Sequence, residues 1–268
     1  AFVKQSLTSL LNQTYPAKQL VVVDDGSTDN SVVIIRKLAD AYPNLKLITS
    51  DKASTHAPGE KVVRAFMRGF DVLSADWDVV CKFDADILFP DNYLEKLNYA
   101  FNSNDKLGMF GGLLTIPNKD AWEVESISRN NHRRGPIKAY SKACYTDVGG
   151  LRVALGWDTL DELLALQRGY QVKIDKELLV KHLRPTGAKY NYKGAVSKGR
   201  LFYELGYGFF LGVLASIKWS FNQRGSLLAA LGGFLGAWFT CKPKLVTKQE
   251  ARFIMRYRWS QIFSRFIS

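Results

Sequence analysis

Cysteine is scarce in this chain: Cys81, Cys144 and Cys241 are the only three among 268 residues. An odd, widely spaced set supplies neither a disulfide framework nor a zinc site, and it suits a reducing compartment. A phosphate-cradling loop is also missing. Neither Gly-x-x-x-x-Gly-Lys nor Gly-x-Gly-x-x-Gly occurs, and "GMFGG" fits neither pattern. A bound diphosphate would therefore depend on a cation and basic side chains. Two uncharged stretches, Leu205–Ile217 and Gly225–Cys241, both fall short of the ~20 residues needed to cross a bilayer. There is no secretory signal peptide, and the chain opens on Ala1 in mid-pattern, which reads as a fragment.

Acidic residues are nearly absent from one region. Residues 1–175 carry 21 Lys and Arg against 22 Asp and Glu, whereas residues 176–268 carry 16 against 3. The net charge of +12 thus belongs to the C-terminal third, where it accompanies apolar stretches. That mixture suits an anionic membrane surface rather than nucleic acid. Near the end, Met255, Trp259, Ile262, Phe263 and Phe266 share one helical stripe bordered by Arg256, Arg258 and Arg265. This predicts a helix lying in a membrane interface; a helix packing on the rest of the chain is the alternative.

What the first 185 residues do have is alternation. "FVKQSLTSLL" predicts a helix, "QLVVVDD" a buried strand, and "GSTDNS" a turn that caps a helix to about Tyr42. "LKLITS", "WDVVCKFD" and "LGMFGGLLTI" continue as strands, with helices over 59–75 and 91–102 between them. After Pro117, "GPIKAY" reads as extended, 141–147 and 157–170 as helical, and "QVKIDKELLVKH" as strand. This rhythm predicts a mostly parallel α/β sheet over residues 1–185, with its ligand site at the strands' C-terminal ends. Residues 186–268 form a helical, apolar and basic extension. The compositional boundary is the Gly- and Lys-rich "RPTGAKYNYKGAVSKGR".

Two acidic pairs sit at such strand ends, Asp24/Asp25 and Asp84/Asp86. On extended backbone, Asp84 and Asp86 point to one side and can converge on a hard cation, Mg2+ or Mn2+. In "VVVDDGSTDNS", the acids either punctuate a strand and turn or accept hydrogen bonds from a nucleoside. Asp161 and Glu162 read as acids favouring a helix N-terminus. His132 with Arg133 and Arg134 reads as a basic loop, and His56 carries no distinctive signal.

"SLLNQTYPAKQLVVVDDGSTDNS", "FDADILFP" and "GPIKAYSKACYTDVGGL…GWDTLDELLALQRGY", in that order, resemble family 2 glycosyltransferases of the GT-A fold over about residues 2–182. The resemblance implies that Asp25 contacts the base of a sugar nucleotide. Asp84 and Asp86 take the ribose and the divalent metal, and Asp158 is the general base. Trp157 stands where the family carries a Glu. The family's basic helix matches "PGEKVVRAFMRGF", making Lys61 a nucleotide-binding candidate with Arg64 nearby. His182, in "VKHLRPTG", is a candidate third metal ligand or a loop hydrogen-bonding residue. The family's first strand has no counterpart here.

The implied activity is transfer of a sugar, with inversion, from a nucleotide-diphospho-sugar to a glycan or lipid-linked acceptor at the cytoplasmic face of a membrane. A nucleotidyltransferase of related architecture and a catalytically inactive, membrane-tethered binding protein are the alternatives.

Overall fold

The computed structural model describes residues 2–50, 59–119, 121–125, 135–184, 192–223 and 226–267. The chain divides into two compact units, Ala1–Thr186 and Gly187–Ser268. In the first unit, helix α1 (Val3–Leu11) buries Val3, Ser6, Leu7 and Leu10, a stripe at helical spacing. Strand β1 (Leu20–Asp24) pairs in parallel with β2 (Leu45–Thr49), from Leu20 opposite Leu45 to Asp24 opposite Thr49. The crossover is α2 (Ser31–Ala41), whose Ile35 packs on Val3 and Leu7.

The second sheet of this unit holds six strands among the described residues. They are β3 (Val79–Phe83), β4 (Ile87–Leu88), β5 (Leu107–Asn118), β6 (Ala121–Val124), β7 (Ile137–Ser141) and β8 (Gln171–His182). Their order is β3-β7-β5-β8-β4, with β6 hairpinned onto β5. Helix α3 (Glu60–Phe70) precedes β3, α4 (Tyr93–Asn102) links β4 to β5, and α5 (Lys142–Asp147) and α6 (Trp157–Gln167) link β7 to β8.

The expectation of a mostly parallel sheet is corrected here. Only β5 and β8 pair in parallel; β3–β7, β7–β5, β5–β6 and β8–β4 are antiparallel. Strands β3 and β5 do run the same way, as a helical crossover requires, but β7 returns from the β5–β6 hairpin and slots between them. Periodicity marks a strand without revealing its neighbour, so this insertion is invisible in the pattern.

A single apolar core backs the sheet, with Tyr93, Leu94 and Leu97 of α4 packed on Phe110, Leu114, Ile137, Leu178 and Val180. β5 and β8 approach closely at Gly112. A Cβ there would collide with the Leu178 carbonyl oxygen and sit 2.9 Å from Val180 Cγ2. Overpacking such a contact costs about 1–3 kcal/mol. Gly112→Ala is expected to lower the unfolding free energy measured in urea by that amount, and an unchanged value would show that the ladder yields freely.

The second unit contains α7 (Tyr192–Glu204), α8 (Phe209–Gln223), α9 (Leu227–Phe239) and α10 (Lys248–Ile267). On the last helix, Met255, Trp259 and Ile262 of the expected stripe are half-buried and Phe263 is exposed, while the buried residues Ala251 and Ile254 lie outside that stripe. No helix among the described residues is long and apolar enough to cross a membrane.

Candidate active site

The first acidic pair divides its labour. Asp24 is buried and accepts from the backbone N–H groups of Gly26, at 3.2 Å, and Ser27, closing the turn after β1. Gly26 adopts φ +87° there, a conformation glycine enters without steric cost. Asp25 instead reaches α3, where Arg68 lies 2.5 Å from Oδ1 and Lys61 3.1 Å from Oδ2. The predicted nucleotide contacts Asp25 and Lys61 are therefore an ion pair, and Arg68 is a partner the sequence reading missed. Gly69 lets α3 lie against β1, its Cα facing Val21 and Val23.

The second acidic pair is rearranged relative to expectation. Asp84 and Asp86 do not alternate along a strand, because Ala85 and Asp86 form a turn between β3 and β4. Asp84 pairs with the buried Lys82, whose ammonium also donates to the Gly135 carbonyl at 3.1 Å. Asp86 faces His182 across the β4–β8 ladder, Oδ1 to Nε2 3.6 Å. On its other side, His182 Nδ1 lies 3.9 Å from Glu125, which β6 delivers through the bond of its N–H to the Leu114 carbonyl.

Burial alone would disfavour a charged His182, but Asp86 and Glu125 outweigh it and lift the imidazole to about 9. For Asp86, burial acts upward, yet His182 holds the carboxyl below its ordinary value.

Could this pair hold a divalent cation? Asp86 Oδ1 is buried beyond hydrogen-bond distance of any partner and meets His182 Nε2 only at ion-pair range, so the pair presents a carboxylate oxygen that a further ligand could engage. One carboxylate and one imidazole suit Mn2+ or Mg2+, ions that keep waters and take phosphate oxygens as further ligands. His182 must release its proton to ligate. Among the described residues no group of three or more acidic, His or Cys side chains is arranged to hold a metal ion by itself.

Asp158 joins this region through Gly135. A Cβ on Gly135 would stand 3.1 Å from the Trp157 ring and 3.5 Å from Asp158 Cβ. The residue whose carbonyl holds Lys82, and through it Asp84, is thus packed directly on the start of α6. Gly156 precedes that helix at φ +72°, and Gly59, at the start of α3, abuts the Ala154–Leu155 backbone so closely that a Cβ there would stand 2.9 Å from it. The beginnings of α3 and α6 are consequently neighbours. Asp25 through α3, and Asp84 through Lys82 and Gly135, both connect to the start of α6, which carries Asp158.

Asp161 and Glu162, read as acids favouring a helix N-terminus, have a different role. Both are buried. Lys138 of β7, fully enclosed, donates to Asp161 Oδ1 at 2.6 Å and to the Asp158 carbonyl, and lies 3.7 Å from Glu162. Tyr140 also donates to Asp161. Burial pushes the Asp161 carboxyl up to about 6 against the pull of Lys138, and burial together with the neighbouring Asp161 raises the Tyr140 phenol well above its ordinary value. Trp157 lies against both ammonium groups, 5.2 Å from Lys82 and 5.5 Å from Lys138. The missed signals were there: "VCKF" and "PIKAY" each place a lysine inside a strand's apolar pattern. His56, His132, Arg133 and Arg134 lie outside the described residues.

The model of glycosyl transferase family 2 matches residues 1–149, more than half of the chain. The chain belongs to that family. Over 119 residues this family 2 chain is 31% identical to an uncharacterised glycosyltransferase of Nostoc sp., covering 44% of the chain and 34% of that protein. Over 177 residues it is 26% identical to poly-β-1,6-N-acetyl-D-glucosamine synthase of Staphylococcus epidermidis, covering 59% of the chain and 39% of the synthase. The chain spans about a third of the length of the curated relatives it matches. Its fold is similar to that of a mannosyltransferase from Pyrobaculum calidifontis solved with GDP-Man and Mn2+. That likeness has a TM-score of 0.55 at 14% identity, over 97% of this chain and 76% of that one.

Lys138 and Asp161 generate a stability prediction. Lys138→Met strands a buried carboxylate and is expected to cost about 3–5 kcal/mol by urea unfolding. Lys138→Met combined with Asp161→Leu should recover much of that loss; equal instability of the two variants would mean that packing, not the ion pair, fixes α6.

Proposed function

We propose that this chain carries the donor-binding and catalytic part of an enzyme that moves a sugar from a nucleotide-diphospho-sugar to a hydroxyl group. The acceptor is a glycan or lipid-linked glycan, and the sugar inverts. The observation that carries this reading is the packing of Gly135 between the Lys82–Asp84 pair and the start of α6 at Asp158. It links a donor-side carboxylate to a candidate base from a distant part of the chain. Family membership favours sugar transfer over nucleotide transfer. The similarity to a polysaccharide synthase supports a glycan product, and the neighbour solved with GDP-Man and Mn2+ supports a cation-dependent donor.

Asp25, steadied by Lys61 and Arg68, accepts from the nucleobase, and Asp84, steadied by Lys82, accepts from the ribose hydroxyls. Lys61 shares its charge between Asp25 and the incoming nucleotide. Asp86 and His182 would hold the divalent cation, which supplies charge neutralisation at the departing diphosphate. Asp158 takes the acceptor's hydroxyl proton as the acceptor oxygen bonds to the anomeric carbon. The bond from that carbon to the phosphate oxygen breaks on the opposite face, and its electron pair leaves with the nucleoside diphosphate. One displacement inverts the centre. At a helix start, Asp158 also lies where the backbone dipoles favour the carboxylate form.

Asp158→Asn is expected to lower turnover by ~10²–10⁴-fold while leaving binding of UDP or GDP unchanged by calorimetry. Full turnover by this variant, with a panel of sugar nucleotides and Mn2+, would remove Asp158 from the mechanism. His182→Ala and Asp86→Ala should each weaken Mn2+-dependent UDP or GDP binding and leave the residual binding in EDTA unchanged. Equal binding in Mn2+ and in EDTA by the unaltered chain would remove the cation.

A further inference from the structure

The helical unit Gly187–Ser268 has an outward surface that the sugar-transfer reading does not use. Helices α8 and α9 form an antiparallel hairpin. Phe209, at the start of α8, packs 5.6 Å from Trp238 at the end of α9, and Gly212 leaves room only for the Phe234 ring. On its inner face α9 is built from small residues. Gly233 touches the Val196 backbone, and Gly199 of α7 touches that of Ala230, so the two helices meet without side chains between them. Such close crossings are frequent where helices associate without a hydrophobic driving force.

The outer faces are apolar as well, apart from the exposed Lys218 beside the stripe of α8. In α8, Phe210, Leu214 and Phe221 fall within a narrow stripe, and in α9, Leu228, Leu235 and Phe239 do the same, with Gly232 and Gly236 between them. Phe210, Phe221, Leu228 and Phe239 are 76%, 76%, 81% and 76% exposed. No charged residue occurs anywhere in α9. A helix that is apolar all round belongs inside a protein or a lipid phase, and scattered exposure does not explain two continuous stripes.

The surrounding charge identifies the occupant. Residues 187–268 carry 13 Lys and Arg against two acids. Glu204 pairs with Arg200 at 2.5 Å, and buried Glu250 caps the Thr247 N–H at 2.7 Å. Lys242, Lys244 and Lys248 follow directly on Phe239 and are exposed. A second copy of this unit would bring like charges together, whereas an anionic lipid surface neutralises them. At 13 residues, α9 is about 20 Å long, short of the ~30 Å hydrocarbon layer.

We propose that the α8–α9 hairpin is a monotopic docking element that sinks its apolar stripes into one leaflet of an anionic bilayer, with Lys242, Lys244 and Lys248 at the headgroups. The apolar face of α10 is not required.

The test is flotation of the full chain with phosphatidylcholine vesicles containing or lacking phosphatidylglycerol, alongside sedimentation in their absence. The chain should bind the anionic vesicles. Phe210→Ser/Phe221→Ser/Leu228→Ser/Phe239→Ser should lose about tenfold in partitioning per residue. Lys242→Gln/Lys244→Gln/Lys248→Gln should lose about fivefold per charge and its dependence on phosphatidylglycerol. Met255→Ser/Trp259→Ser/Phe263→Ser should bind like the unaltered chain. All substituted side chains are exposed or half-buried, and circular dichroism confirms that each variant folds. Retained vesicle binding by the folded hairpin variant overturns the proposal. So does selective loss in the α10 variant, or a concentration-dependent dimer that the hairpin substitutions dissociate without changing flotation.

Discussion

Lys138 is a cation with no access to water, and most of the candidate site is arranged around it. An ammonium enclosed in this way persists only with a carboxylate beside it and its remaining protons engaged. Asp161 and the Asp158 carbonyl meet that requirement, and in meeting it they seat the first turn of α6 on β7. Because β7 lies between β3 and β5, the same contact places α6 beside the end of β3. Lys82 repeats the arrangement one strand away, paired with Asp84 and bonded to Gly135. Trp157 closes the gap with its ring against both ammonium groups. The aromatic residue before Asp158 therefore has a definite local role here: its ring lies against two ammonium groups at 5.2 and 5.5 Å.

Much of this was legible beforehand, and the reasons differ by element. Strand and helix positions followed from apolar periodicity, since each element buries one face or is buried entirely. Asp25 and Asp84 could be singled out because each ends a strand within the ordered set of motifs that resembles family 2 glycosyltransferases. The antiparallel insertion of β7 could not be read, because pairing partners are settled by tertiary packing rather than by a strand's own pattern. The argument from alternation along Asp84-Ala85-Asp86 failed for a local reason: the chain turns at Ala85, so the two side chains separate, one towards Lys82 and the other towards His182. Asp161 was underestimated because a helix-start acid and a buried counter-ion look alike until the facing lysine is known.

The two compact units divide two kinds of physical problem. The first buries charge in pairs, Lys138 with Asp161 and Lys82 with Asp84, and keeps its net charge near zero. The second buries small apolar residues against backbone and leaves large apolar and basic side chains outside. The composition shift near residue 186 is the trace of that division in the chain.

The contact between Asp86 and His182 has a further implication. Asp86 adjoins the ladder: its carbonyl accepts from the Leu183 N–H at 2.9 Å, Ile87 faces His182 and Leu88 faces Lys181, while β5 holds the other edge of β8. The separation of Asp86 and His182 is thus written in the register of a sheet and not in the packing of rotatable side chains. Sliding β4 by one residue, so that Lys181 came opposite Ile87, would carry Asp86 from beside Leu183 to directly opposite His182 and turn the side chains of β4 to the other face. The ladder acts as a ruler: it holds a carboxylate and an imidazole 3.6 Å apart, so a ligand taken up by the pair would lose little affinity to rearrangement.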